Sequence, residues 1–213
     1  MKSLKTMVFI DTCSFLASCW SGDERRGEAI RHDAAKEKTF WGDEFRGLVD
    51  AGRLILPRRN YEELLKHSKS RRDTELAARS KYVLDKLAPL IGRGTFEIVG
   101  DDNDPFADAI LLSVALKFRT QHNLLFITQD RALARDLQSV SEFESVQPRG
   151  GQAMRISRIS RAGRLESFGE PVRPSTAGPR LPSSGATSVG SAVKSEADPT
   201  RKLWWERLKL ERS

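Results

Sequence analysis

Short apolar runs alternate with helix-forming segments through the first two thirds of the chain, and this alternation constrains the fold more than any other feature. The runs are MVFI, RLILP, TFEIVG, NLLFIT and FESVQ, which begin at residues 7, 53, 95, 123 and 143. The first has four consecutive apolar residues, a pattern typical of a strand that is buried on both faces. Strands separated by helical lengths predict an α/β layer fold around a parallel sheet of about five strands.

The composition predicts a soluble protein with room for one full domain and additional segments, since 38% of the 213 residues are hydrophobic and 31% are charged. No apolar run approaches the roughly 20 residues that a membrane-spanning helix needs. Asp11 interrupts the first apolar run, so a signal peptide is not expected. Cys13 and Cys19 form no metal-type pair and the three histidines are scattered. We therefore expect reduced thiols, no zinc site, a cytoplasmic location and no membrane partner.

The positive charge is concentrated in the last third of the chain. Residues 1–147 are neutral overall, so the whole net charge of +7 lies in residues 148–213. A basic segment on a neutral body predicts attraction to a polyanion, most often nucleic acid, with a merely solubilising segment as the alternative. The predicted division is a folded domain at 1–148, a basic and then Pro/Ser/Gly-rich disordered linker at 149–202, and a Trp/Leu-rich amphipathic segment at 203–213.

Basic side chains in two regions are predicted to contact nucleic acid. Those around the helix after the second strand would line a path for phosphates, and a solvated helix face is the alternative. In the C-terminal segment arginines recur at every third position, which would give a basic face if that segment is helical. The predicted nucleic-acid-binding residues are Arg58, Arg59, Lys66, Arg71, Arg72, Arg155, Arg158 and Arg161. Trp204 and Trp205 are expected either to engage a protein partner or to fold back on their own domain.

Carboxylates follow four successive predicted strands. Asp11 comes directly after the first, Glu62 and Glu63 lie in the helix after the second, Asp108 lies in the helix after the third, and Asp130 follows the fourth. Because ligands of parallel α/β sheets bind beyond the carboxyl ends of the strands, these side chains are expected to converge. Converging carboxylates repel one another unless a cation neutralises them, and hard oxygen ligands suit Mg²⁺ or Mn²⁺. Such ions activate a water and stabilise the leaving oxygen of a phosphodiester.

Each of these carboxylates has a structural alternative when it is taken alone. An aspartate after a strand is commonly a helix cap or a turn residue, which applies to Asp11 and to Asp130. Asp104 is better explained as an N-cap than as a ligand. Asp108 borders the apolar stretch AILLSVAL, where burial of a carboxylate is unfavourable unless the charge is paired. The metal-site prediction therefore depends on the occurrence of all these residues in one topology.

Four segments resemble the signature segments of PIN-domain nucleases, in that family's order: VFIDTCSFL, LPRRNYEEL, FADAILLSVALKF and LLFITQDRAL. The resemblance covers about residues 7–148. It implies a three-layer α/β/α fold with strand order 3-2-1-4-5. It also implies an acidic cluster that holds one or two Mg²⁺ or Mn²⁺ ions and cleaves single-stranded RNA, or in some members DNA.

The resemblance also assigns roles to individual residues. The metal ligands and catalytic carboxylates would be Asp11, Glu63, Asp108 and Asp130, with Thr128 as the polar residue that supports them. Thr12 would be the hydroxyl beside the first aspartate, and Glu62 is the alternative to Glu63. Cys13 departs from the family, which usually has serine or asparagine there.

Two other functions are compatible with parts of this pattern. A PIN fold could bind RNA or a protein without cleaving anything. FEIVGDDNDPFADA and VFIDTCS also resemble motifs of haloacid-dehalogenase-type phosphatases. That chemistry uses a second aspartate two residues after the nucleophile as acid/base, and Cys13 occupies that position here.

Overall fold

The computed structural model describes residues 6–22, 27–100, 107–142 and 153–168, and it contains eight strands and seven α-helices in these ranges. The strands are β1 (Thr6–Ile10), β2 (Trp20–Ser21), β3 (Arg31–His32), β4 (Gly52–Pro57), β5 (Phe96–Val99), β6 (Leu124–Ile127), β7 (Met154–Ile159) and β8 (Leu165–Ser167). The helices are α1 (Thr12–Ala17), α2 (Ala34–Lys38), α3 (Phe45–Ala51), α4 (Arg58–Ser68), α5 (Thr74–Gly92), α6 (Ala107–Phe118) and α7 (Arg131–Glu142). A π-helical turn, Thr39–Glu44, joins α2 to α3.

Six of the strands form one mostly parallel sheet in the order β5–β4–β1–β6–β7–β8. The five strands from β5 to β7 are parallel to one another, and β8 pairs antiparallel with β7. β2 and β3 form a separate antiparallel pair. The strand β1 lies at the centre and is buried along its whole length, as its apolar run predicts.

Alternate residues of β1 contribute to two different apolar clusters, which places helices on both faces of the sheet. Val8 and Ile10 pack in a cluster with residues from α3, α4 and α5. Met7 and Phe9 pack in a cluster with residues from α6 and α7. Because successive side chains of a strand point to opposite faces, the sheet lies between two helical layers. This arrangement is compatible with a three-layer α/β/α fold.

The predicted count and order of strands are wrong at the C-terminal side of the sheet. β5, β4, β1 and β6 follow one another, but the strand beside β6 is β7, and β8 adds a sixth strand beyond it. The predicted fifth strand, FESVQ, lies outside the described residues. The domain boundary at 148 also fails, because β7 and β8 come from the stretch predicted to be a disordered linker.

Two isoleucines explain why this arginine-rich stretch forms a strand. Ile156 and Ile159 are 8% and 4% exposed and belong to the two apolar clusters on opposite faces of the sheet. Arg155 and Arg158 are exposed, and Arg161 lies in the turn after β7, so the segment is not helical and does not form a basic helical face. Gly163 closes the β7–β8 hairpin with a φ of 81°, which glycine adopts readily.

Close backbone packing positions β4 against the central strand. A Cβ atom on Gly52 would lie 1.8 Å from the carbonyl oxygen of Thr6, so a larger residue does not fit at the start of β4. No helix in the described part of the chain is long and apolar enough to cross a membrane.

Candidate active site

The carboxyl ends of β1 and β6 bring two predicted site residues together. Ile10 and Ile127 are partners in the parallel register of these strands, so Asp11 and Thr128 follow at adjacent positions. The backbone N–H of Asp11 donates to the carbonyl of Ile127 at 3.0 Å. On the other side of β1, β4 ends at Pro57 and passes directly into α4. The edge of the sheet therefore places the start of α4 beside Asp11.

Asp11 is a buried carboxylate held by four donors. Its Oδ1 accepts from the Thr12 backbone N–H at 2.7 Å and from Asn60 Nδ2 at 2.9 Å. Its Oδ2 accepts from Thr128 Oγ1 at 3.0 Å and from the Cys13 thiol at 2.7 Å. Burial raises the pKa of Asp11, and the hydrogen bonds oppose that rise. The result is a carboxylate with both oxygens fixed in direction.

Thr128 connects Asp11 to the next predicted carboxylate. Its Oγ1 donates to Asp11 and accepts from the backbone N–H of Asp130 at 3.0 Å. Asp130 Oδ1 in turn accepts from the N–H groups of Ala132 and Leu133, at 2.6 and 3.3 Å. Asp130 is therefore the N-cap of α7, the structural alternative considered for it, and its exposed side chain lies at the same edge of the sheet.

Asp108 lies in the first turn of α6, and its raised pKa reflects in part the charges of other carboxylates. That pKa is raised to about 6 by desolvation first and then by the charges of Asp11, Asp130 and Glu63. Three other predicted carboxylates thus act electrostatically on Asp108, although they come from separate segments of the chain. Each one makes ionisation of Asp108 less favourable.

The two adjacent glutamates of α4 differ in their surroundings. Glu62 forms an ion pair with Arg59, with 2.8 Å between Oε2 and Nη1. Glu63 Oε1 lies 3.6 Å from His67 Nε2, and the charge of Glu63 contributes to the raised pKa of both Asp11 and Asp108. Glu63 is therefore the glutamate that acts on the predicted metal-site carboxylates in this geometry.

A cleft of about 450 Å³ opens between α4 and the start of α6. Its lining carries both signs of charge and consists of Arg59, Glu62, Glu63, Lys66, Ala107 and Asp108. A lining of this kind suits a charged, hydrated ligand better than an apolar one. Arg59 and Lys66 are the predicted nucleic-acid-binding residues that the structure places in this cleft.

The other predicted contact residues lie elsewhere. Arg58 is exposed at the start of α4 and donates from Nε to the carbonyl of Gly100 at 3.2 Å. Arg71 and Arg72 are exposed between α4 and α5, and Arg158 pairs with Glu166 across the β7–β8 hairpin at 3.2 Å. The remaining predictions lie outside the described residues: Asp104, Trp204 and Trp205.

Asn60 and the thiol of Cys13 contact Asp11, and neither was predicted as a site residue. Asn60 is fully buried on the same face of α4 as Leu64. An amide at an otherwise apolar position of a helix was the available signal, because a buried polar group requires a partner. The Cys13 thiol lies between Asp11 and the Gln129 backbone N–H, which donates to its sulfur at 3.4 Å. Burial and the charge of Asp11 raise the pKa of Cys13, so the thiol remains protonated.

No cage of direct metal ligands is preformed in the described part of the chain. Among those residues, no group of three or more histidine, cysteine, aspartate or glutamate side chains is arranged to hold a metal ion. The carboxylates that act electrostatically on Asp108 are those of Asp11, Asp130, Glu63 and Asp136. Comparison of the chain with models of known protein families and with curated proteins finds no match.

Proposed function

We propose that this chain is a metal-dependent endonuclease of the PIN-domain type that hydrolyses phosphodiester bonds in single-stranded RNA. The observation that carries the proposal is the buried carboxylate of Asp11 at the carboxyl end of the central strand. Four donors fix its direction, and its charge, with those of Asp130 and Glu63, acts on Asp108. The sequence segments that resemble PIN domains supply these same four carboxylates.

The donor set fits Mg²⁺ or Mn²⁺. All four side chains offer hard oxygen atoms, and a divalent cation would relieve the carboxylate repulsion that adds to desolvation in raising the pKa of Asp108. Mg²⁺ commonly keeps several waters and is bound through one or two carboxylates, so its binding does not need a preformed cage of three close ligands. Asp11, Glu63, Asp108 and Asp130 would hold the ion, directly or through water.

Different residues of the chain would have different roles in catalysis. When bound, the cation activates a water for attack on phosphorus and stabilises the departing oxygen. Thr128 and Cys13 donate to Asp11 Oδ2 and would hold that oxygen in one direction. Arg59 and Lys66 lie in the cleft with Asp108 and would attract the phosphates that flank the cleaved bond. No covalent intermediate with the protein is required.

One feature argues against the phosphatase alternative. Cys13 stands where that mechanism needs a second aspartate as acid/base, and the raised pKa of its thiol keeps the proton in place.

Cleavage of end-labelled single-stranded RNA by the full chain tests the proposal. We expect product with Mn²⁺ or Mg²⁺, loss of product in EDTA, and recovery when the metal is restored. Asp11→Asn should abolish cleavage, while Asp50→Asn, an exposed carboxylate on α3, should cleave as the wild type does. Persistent cleavage in EDTA, or equal cleavage by Asp11→Asn, would refute it. Binding of RNA without cleavage under every condition would support the non-catalytic PIN module, and faster cleavage of single-stranded DNA would reassign the substrate.

A further inference from the structure

We propose that Asn60 is a positioning residue for the Asp11 carboxylate, and that it holds the α4 glutamate and Asp11 in a fixed relation for metal binding. The inference rests on the proposed nuclease function, since it concerns the same acidic edge. Asn60 belongs to none of the residue sets that the sequence predicted. Its distinguishing property is that it joins two elements that each supply a predicted ligand.

The contacts of Asn60 span the junction between α4 and the end of β1. Its Nδ2 donates to Asp11 Oδ1 at 2.9 Å and to Thr12 Oγ1 at 3.2 Å. The Thr12 hydroxyl donates back to the backbone carbonyl of Asn60 at 3.4 Å. Glu63 follows three residues later on the same helix, so the bond that fixes Asn60 also fixes the helical turn that carries Glu63.

The burial of Asn60 indicates that its hydrogen bond to Asp11 does more than support packing. The side chain is 0% exposed, and its Oδ1 is buried with no hydrogen-bond partner among the described residues. Burying an amide with half of its polar atoms unpaired is unfavourable, and a leucine of similar size would avoid that cost. Exchanging the amide nitrogen and oxygen would set Oδ1 against the Asp11 carboxylate, so Nδ2 must face Asp11.

Asn60 therefore acts on one oxygen of Asp11, while Thr128 and Cys13 act on the other. Partners that orient a metal-binding carboxylate typically change metal affinity or activity by about 10- to 100-fold when they are removed. Loss of the Asn60 donor should free the Asp11 carboxylate to rotate and should release the first turns of α4. The predicted result is weaker metal binding and slower catalysis with little change in the binding of RNA.

The test compares Asn60→Leu with the wild-type full chain. Leucine keeps the volume and removes the donor, and Asn60→Ala serves as a second variant if the leucine protein does not fold. Ser80→Ala is the matched control: Ser80 is equally buried on α5, and its Oγ has no hydrogen-bond partner among the described residues. Electron paramagnetic resonance measures the affinity for Mn²⁺ without RNA, circular dichroism measures folding, and cleavage kinetics give kcat and KM separately.

We expect a folded Asn60→Leu protein to bind Mn²⁺ about 10- to 100-fold more weakly and to lose kcat by a similar factor, with KM within about twofold of wild type. Ser80→Ala should keep wild-type Mn²⁺ affinity. A folded Asn60 variant with wild-type Mn²⁺ affinity and kcat, whatever its stability, would overturn the inference and leave the nuclease proposal standing. A wild-type chain that binds no Mn²⁺ and cleaves no RNA would instead overturn the proposed function, and the inference with it.

Discussion

Replacing Asp108 with asparagine should stabilise the metal-free protein near neutral pH and leave its stability unchanged near pH 4. The pKa of Asp108 is raised from 3.8 to about 6 by desolvation and by the carboxylates of Asp11, Asp130 and Glu63. Because its folded-state pKa lies above the unfolded value, the folded protein binds this proton more tightly. The free energy of unfolding therefore falls as the pH rises from about 4 to about 6. Asparagine carries no charge and escapes this loss.

The size of the effect follows from the shift and from the exposure of the side chain. A change of two pKa units corresponds to about 3 kcal/mol of differential interaction. Asp108 is exposed, so screening by solvent reduces that value, and we expect the variant to be stabilised by about 1 kcal/mol above pH 6. For a chain of this length, 1 kcal/mol corresponds to a rise in Tm of about 2–4 °C.

Urea unfolding in EDTA at several pH values between about 4 and 7.5 measures the difference between wild type and Asp108→Asn. Asp50→Asn is the control, since Asp50 is an exposed carboxylate on α3. At neutral pH, Mn²⁺ should reverse the ranking, because the proposed metal site would bind the cation more tightly in the wild type than in the variant. A stability difference that is the same at every pH, or a less stable Asp108→Asn protein in EDTA at neutral pH, would refute the reasoning.

Three further substitutions test the supporting residues, the cleft and the core. Thr128→Val removes the donor to Asp11 and the acceptor for the Asp130 N–H. It should weaken Mn²⁺ binding by about 10- to 100-fold, measured by electron paramagnetic resonance. Lys66→Ala removes a cation from the cleft. It should weaken RNA binding and reduce by about one the slope of log affinity against log salt, measured by fluorescence anisotropy. Phe126 is 1% exposed and stacks on Phe9 with ring centroids 5.2 Å apart. Phe126→Ala should lower the free energy of unfolding by about 3–5 kcal/mol in urea titrations.

Each of these expectations has a contrary result. Unchanged Mn²⁺ affinity in Thr128→Val would show that Asp11 is held well enough by its other donors. An unchanged salt slope in Lys66→Ala would place the RNA path outside the cleft between α4 and α6. A decrease of less than about 1 kcal/mol in the free energy of unfolding of Phe126→Ala would contradict close packing of the apolar cluster between β6 and the helices α6 and α7.

The alternation of apolar runs and helical segments was sufficient to predict the four strands β1, β4, β5 and β6 and their place in an α/β sheet. The reason is local: a buried parallel strand is apolar on both faces, so MVFI and LLFI can be recognised without knowing their neighbours. The carboxylates could be predicted at one edge for a related reason, because the carboxyl ends of parallel strands meet there. The helix N-cap role of Asp130 was foreseen as an alternative on the same local grounds.

The C-terminal strands could not be recognised locally. The two arginines of the segment MRISRI are three positions apart, and its apolar side chains do not follow the spacing of a strand with one buried face. It forms β7 because β6 offers hydrogen-bonding groups along its free side, and because Ile156 and Ile159 reach apolar clusters built from distant segments. Strand pairing of this kind is decided by tertiary contacts.

The fine structure of the candidate site was likewise decided by contacts between residues far apart in the chain. Asn60 and Thr128 donate to Asp11 from 49 and 117 residues away. Glu63 differs from Glu62 by its position relative to Asp11 and Asp108, which no spacing within α4 reveals. Sequence determines which residue types reach the edge of the sheet, since that depends on local strand and helix patterns. Only the packed structure determines which donors meet which oxygen, because hydrogen bonds depend on distances that the fold sets.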